Sequence, residues 1–189
     1  GAIGGASLGE VVDLKIKGTI NSYDIIVLNQ KMPILQNLDL SEAQIVACDF
    51  PYYDGYCTED SKLTSYLFYN KQSLRSIKLP VKMQGDMGNG VFSNCKGLKM
   101  VVLSEGITSI GAGAFGNCYS LINVVFPKGL LRIEGGAFTS NTRSADKSDN
   151  KYRCKIKNIV LPESVKYIGA CAFEYSCLES ITLPPNLET

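Results

Sequence analysis

The stretch "LPESVKYIGACAFEYSCLESITLP", Leu161–Pro184, begins and ends in Leu-Pro. Its last seven residues, "LESITLP" from Leu178, repeat a form met four times before: "LRSIKLP" from Leu74, "LKMVVLS" from Leu98, "LINVVFP" from Leu121 and "IKNIVLP" from Ile156. Each has an apolar residue at its first, fourth and sixth places, and all but one end in Pro. The starts are 24, 23, 35 and 22 residues apart, so the third interval is an ordinary unit carrying about a dozen extra residues. A second phrase is locked to the first. Met87…Phe92, Ile110…Phe115, Ile133…Phe138 and Ile168…Phe173 all keep a spacing of five, with Ala114, Ala137 and Ala172 before the Phe and Gly111, Gly135 and Gly169 near its start.

The pattern runs upstream. "LQNLDL" begins at Leu35, Leu63…Phe68 supplies its second phrase, and Val11, Leu14 and Ile16 sit 24 residues ahead of Leu35, Leu38 and Leu40. That makes seven strand phrases. Within each, side chains alternate, so Ile77 and Leu79 point one way and Ser76 and Lys78 the other. Pro has no N–H to donate and ends the strand. The Gly-rich phrase reads as a tight or helical turn that returns the chain across the back, its Phe filling the space beneath. One such unit cannot bury its apolar face alone, whereas a stack can.

In strand phrase, turn phrase and period this chain resembles the BspA-like leucine-rich repeats, whose units of about 23 residues read "SITIP…V..IG..AF..C.SL". Such repeats occur in surface proteins of anaerobic gut and oral bacteria and of some parasitic protists. The resemblance covers Leu35 to Leu187, is best in the middle units and is weakest in the unit after Leu40. Residues 12–34 are similar to the more helical first repeat of such proteins, with Asn21 or Ser22 capping a helix that carries Ile25, Ile26 and Leu28.

The expected fold is therefore a single leucine-rich-repeat domain over 1–189. It is an α/β solenoid, a right-handed superhelix of about seven repeats. One parallel β-sheet of about seven strands, ~30 Å long at the usual strand spacing, forms one face; turns or short helices form the other. Two insertions interrupt it, at 48–60 ("CDFPYYDGYCTED") and 139–155, and they are expected to emerge at opposite edges of the sheet. The second is polar and reads as a mobile loop. The last unit stops at "LPPNLET", with Leu187 in the place of Met83, Ile107, Leu130 and Val165 but no further turn phrase. The expectation is a piece of a longer repeat protein, or self-association through the C-terminal repeat edge.

Composition narrows the function. Net charge is +1 with no basic run, so nothing favours nucleic acid. No apolar run reaches the ~18 residues of a membrane span. "GAIGGASLGE" has neither the charged nor the apolar region of a signal peptide, and Gly1 reads as what remains after a native leader has been removed. The chain has no His, which excludes Ser-His and Cys-His dyads. The seven Cys include no C-x-x-C pair, so neither a structural zinc nor another metal is expected. Cys95 and Cys118 share a slot three residues before a strand phrase, with Cys154 and Cys177 near it. They read as small buried side chains, although stacked neighbours lie within disulfide reach. Cys48 and Cys57 bracket a tight loop and are the best candidate pair. "GDMGNG" (Gly85–Gly90) lacks the Lys-Ser/Thr of a phosphate loop and sits where other units carry their turn, so no cofactor is expected. Among the acids, Asp13 and Asp39 are near in register but flanked by Lys15 and Asn37, and the chain does not read as an enzyme.

What remains is surface. The outward pairs run Lys15/Lys17, Asn37/Asp39, Ser76/Lys78, Met100/Val102, Asn123/Val125, Asn158/Val160 and Ser180/Thr182. The family's outward positions are mostly Ser or Thr; here Met100, Val102, Val125 and Val160 form an apolar stripe rimmed by Lys78, Asn123 and Asn158. It reads either as β-forming residues on a mildly hydrophobic surface or as a partner site. Tyr52, Tyr53 and Tyr56 in the first insertion are a second candidate. The resemblance implies a non-enzymatic protein-interaction or adhesion module, extracellular or on a cell surface, contacting host, matrix or cell-surface proteins. The alternatives are a structural spacer in a larger surface protein, or a glycan-binding module, for which the tyrosine loop is the only aromatic platform in a chain without Trp.

Overall fold

The computed structural model describes residues 7–140 and 152–188. The chain winds as a solenoid of about seven coils. Each coil contributes one strand to a front row: β1 (Asp13–Ile20), β2 (Asn37–Ile45), β3 (Ser76–Lys78), β5 (Met100–Val102), β7 (Asn123–Val125), β9 (Asn158–Val160) and β11 (Ser180–Thr182). All pairings are parallel. These are the seven strand phrases, and the middle residue of each short strand, from Ile77 to Ile159, is buried.

The back is more ordered than the turn phrases indicate. β4 (Gly85–Met87), β6 (Ile107–Ile110), β8 (Arg132–Ile133) and β10 (Tyr167–Ile168) form a second parallel ladder of four strands. At two to four residues each, they are too short to show a period in the sequence. Tight turns follow them, and among the described residues α-helix is confined to the N-terminal region. There α1 (Ser22–Gln30) starts on Asn21, which forms a capping box with Asp24. Its C-terminal carbonyls are met by a residue some forty positions away. The buried Lys71 amine donates to the carbonyls of Leu28 (2.6 Å) and Met32, and burial lowers its pKa.

The front row is not one sheet. It divides into a five-stranded part, β1-β2-β3-β5-β7, and a pair, β9 with β11. The expected seven-strand sheet breaks after β7, where the repeat interval lengthens to 35 residues. Most of that insertion, 141–151, lies outside the described residues.

Between front and back runs one continuous core. Phe68, Phe92, Phe115, Phe138 and Phe173 stack in a single column, with successive ring centroids 5.6, 5.4, 5.0 and 5.1 Å apart and planes within 18° of parallel. Beside it lie Cys95 and Cys118, whose thiols each donate to a Phe carbonyl in the previous coil, that of Phe68 or Phe92 (both 3.1 Å). Burial pushes the Cys95 thiol up to about 12 and the Cys118 thiol well above its usual value. All seven cysteines are free thiols, including Cys48 and Cys57. The coils pack so closely that a Cβ on Gly111 would overlap the carbonyl oxygen of Gly88.

The corners explain the rest of the turn phrase. Two residues before each column Phe, the backbone is left-handed: Tyr66, Gly90, Gly113, Gly136 and Cys171, all at φ between 58° and 62°. Two residues after it, Asn70, Asn94, Asn117 and Tyr175 are left-handed as well. Glycine meets this demand without strain, and Asn better than most others.

Two outcomes check this packing. Phe115→Ala should destabilise the fold by about 3–5 kcal/mol in chemical denaturation, as for other truncations of a buried Phe. Cys171→Gly removes an exposed side chain from a left-handed corner and should raise stability by ~0.5–1 kcal/mol, net of the entropy that glycine adds to the unfolded chain.

Candidate functional site

The outward side of the front row changes character along the stack. Its first third is ionic and internally paired. Glu42 bridges Lys15 and Lys17, and Lys78 reaches Asp39 at 3.3 Å. Hydrogen bonds from the Ser41 hydroxyl and amide, with a smaller contribution from Lys78, hold the Asp39 carboxyl down at about 2. Asn37 donates to Asp13 (2.5 Å) and accepts from the Ser76 hydroxyl (2.7 Å). These acids hold one another's neighbours in place and converge on no common point.

The middle third is apolar. Strand register sets Met100 beside Asn123 and Val102 beside Val125, with Lys78 on the other flank of Val102. Met100, Val102 and Val125 are 45%, 44% and 44% exposed. These three, with Lys78 and Asn123, form one surface. Val160 is outward too, 74% exposed, and Asn158 lies beside it, accepting from the Ser180 hydroxyl (2.6 Å). Both stand across the break in the sheet, so the expected stripe is interrupted. A cleft of about 480 Å³ occupies the break, walled by β7 and β9 and reaching down to Phe126, Ile156 and Leu161.

The tyrosine loop divides in two. Tyr52 is 7% exposed; its hydroxyl donates to the Ser65 carbonyl (2.6 Å) and bonds the Thr64 hydroxyl (2.8 Å). It anchors the first insertion to the coil and is not available to a partner. Tyr53 and Tyr56 are exposed and pack on Tyr66 and Tyr69, with centroids 5.3–5.8 Å apart across the four-ring cluster. Tyr66 and Tyr69 escape sequence reasoning because they flank Phe68 inside a turn phrase; the one signal is Tyr66 where three of the other units carry Gly90, Gly113 and Gly136. Beside the cluster is an open hollow of about 710 Å³, with Tyr56, Glu59, Lys62 and Asp86 on its walls.

Among the described residues, no group of three Cys, Asp or Glu side chains is placed to hold a metal ion. No described helix is long and apolar enough to cross a membrane.

The profile of the BspA type leucine-rich repeat region matches residues 61–150 and 148–189, as six copies. Among solved structures, the chain is similar to a leucine-rich repeat protein from Bacteroides ovatus (24% identity, TM-score 0.59, covering 79% of this chain and 34% of that one). It is also similar to the T. pallidum leucine-rich repeat protein (29%, 0.55, 78% and 58%). A third is a leucine-rich cell surface protein from Faecalibacterium prausnitzii (24%, 0.50, 89% and 42%). This chain spans less than two thirds of each. No curated protein matches it.

The division of the tyrosine loop has a direct check. Tyr52→Phe should destabilise the fold by about 1–3 kcal/mol, because it strips a buried carbonyl and hydroxyl of their partner. Tyr53→Phe, at an exposed ring, should be nearly silent in the same thermal melts.

Proposed function

Because the chain belongs to the BspA-type leucine-rich repeat family, we propose that it is a non-enzymatic protein-binding module of a bacterial cell-surface or secreted protein, docking its partner on the outward side of β3, β5 and β7. The observation that carries this is the set Met100, Val102 and Val125, exposed in register on one rigid surface where solvated strands ordinarily carry polar side chains. A contiguous apolar patch with a polar rim marks an interaction surface, and its burial against a partner would be favourable in proportion to area. The strands beneath hold the patch flat, so little order has to be imposed on binding. A surface location is supported by the likeness to the Faecalibacterium prausnitzii cell surface protein and by the family's occurrence in surface proteins.

A glycan-binding reading is favoured by one observation, the exposed Tyr53 and Tyr56 rings beside a polar hollow. Exposed aromatic rings with carboxylates nearby suit a sugar ring. The apolar patch has no role in that reading.

An array of extracellular proteins and glycans, probed with this chain, separates the two. Binding to protein features, weakened at least ~10-fold by Met100→Thr with Val102→Thr while stability stays within about 0.5 kcal/mol, is the expected result. Binding only to glycan features, lost with Tyr53→Ala and Tyr56→Ala, would replace this reading with the second.

A further inference from the structure

The break between β7 and β9 has the shape of a missing strand. Behind it the coils are in contact: β8 pairs with β10, and Phe138 stacks on Phe173 at 5.1 Å. In front they part. No Cα of β7 lies within 8 Å of a Cα of β9, whereas directly paired strands sit ~4.8 Å apart and strands separated by one intervening strand ~9.6 Å. The solenoid is thus wedged open on its front face only.

Both walls of the wedge are strand edges. The Asn123 N–H donates to the Lys99 carbonyl (3.3 Å), and the Val125 carbonyl accepts from the Leu103 N–H (3.0 Å), so these two residues face β5. Alternation along a parallel strand turns the N–H and C=O of Val124 the other way, into the gap. Opposite, the Lys157 carbonyl accepts from the Ser180 N–H (3.1 Å) and the Leu161 N–H donates to the Thr182 carbonyl (3.3 Å). That leaves the backbone groups of Asn158 and Val160 facing β7. At the neighbouring joint the same kinds of group are joined strand to strand; here no hydrogen bond links β7 to β9. Between the edges the floor is apolar, with Val124 and Ile159 facing inward on either side and Phe126 and Leu161 near them. Val124 is 8% exposed where its counterpart Val101, at a closed joint, is 0%.

We propose that this gap receives an extended segment of a partner polypeptide, which enters as an additional β-strand between β7 and β9. The proposal rests on the reading of the chain as a protein-binding module and specifies its mode. A single strand suits what the gap offers: hydrogen-bonding edges on both sides, a separation beyond 8 Å where paired strands sit ~4.8 Å apart, and an inward position between Val124 and Ile159 that takes an apolar side chain. Main-chain pairing supplies affinity in such strand addition, and the alternate side-chain positions supply selection. The segment it fits has an apolar residue flanked by small polar or β-branched residues, the pattern of this chain's own strands.

The probe is a capped peptide of the sequence LESITLP, copied from Leu178–Pro184, and the readout is backbone amide exchange. In the free protein, the Val124, Asn158 and Val160 amides should exchange much faster than that of Val101. Millimolar peptide should slow them at least ~10-fold. A peptide N-methylated at its Ser, Ile and Thr should not, because it keeps the side chains and loses the donors. The idea is overturned if the free-protein amides are already protected as Val101 is, if the plain peptide protects nothing, or if it protects only the outer edge of β11. It is equally overturned if the N-methylated peptide protects as well as the plain one, which would make the gap an apolar pocket and not a strand site. Met100→Thr with Val102→Thr should leave peptide protection unchanged, so a failure of the exposed patch as a docking surface is distinguishable from a failure of the gap.

Discussion

Each joint in this solenoid closes, on at least one face, at the spacing of one hydrogen-bonded parallel strand pair, and the rest of the packing follows from that distance. Aromatic rings stack comfortably at about 5 Å, which is why one Phe per coil forms a column and no larger group recurs there. A backbone running behind the strands at the same spacing leaves no room for a Cβ where Gly111 faces Gly88. In the middle coils the slot before the strand holds a small side chain, and the thiols of Cys95 and Cys118 both fit it and bond the Phe carbonyl of the coil before. The repeated residues are the set that tolerates one coil every five ångströms.

The same constraint sorts the surface. Side chains outward from the front row touch no coil above or below except through their immediate neighbours, so they are free to differ. In the first coils they pair as ions and amides, each charge answered by a residue one strand away. In the middle they become apolar and stop pairing. Exposed ion pairs contribute little to stability, so this change of chemistry costs the fold almost nothing.

How much was legible depends on whether a feature recurs. The Phe column, the inward and outward registers, the Cys slot and a helix start at Asn21 or Ser22 were readable because each rests on spacing that several units share or on a local capping rule; the structure sets the cap at Asn21. The second ladder was not, since strands of two to four residues such as Arg132–Ile133 carry too few side chains to show alternation. Tyr52 was misread for a different reason. It belongs to an insertion seen once, and its burial depends on Thr64 and Ser65, which no repeat relation ties to it. The exposure of Met100, Val102 and Val125 followed from register. The break beyond Val125 did not, because a longer repeat interval shows that residues have been added and says nothing of whether the strands on either side still meet.

The open joint also divides the molecule mechanically. In a linear stack, cooperativity passes from coil to coil through nearest-neighbour interfaces alone. At two joints, β3–β5 backed by β4–β6 and β5–β7 backed by β6–β8, that interface has two hydrogen-bonded ladders with the aromatic column between them; between β7 and β9 the front ladder is gone. The coils carrying β9 and β11 are therefore coupled to the body by the back ladder and by side chains such as Tyr152 on Tyr119 and Ser164 on the Lys128 and Leu130 carbonyls, and not by the front strands. A pull along the solenoid axis would open this joint on its front face, with the stacked rings of Phe138 and Phe173 acting as the hinge.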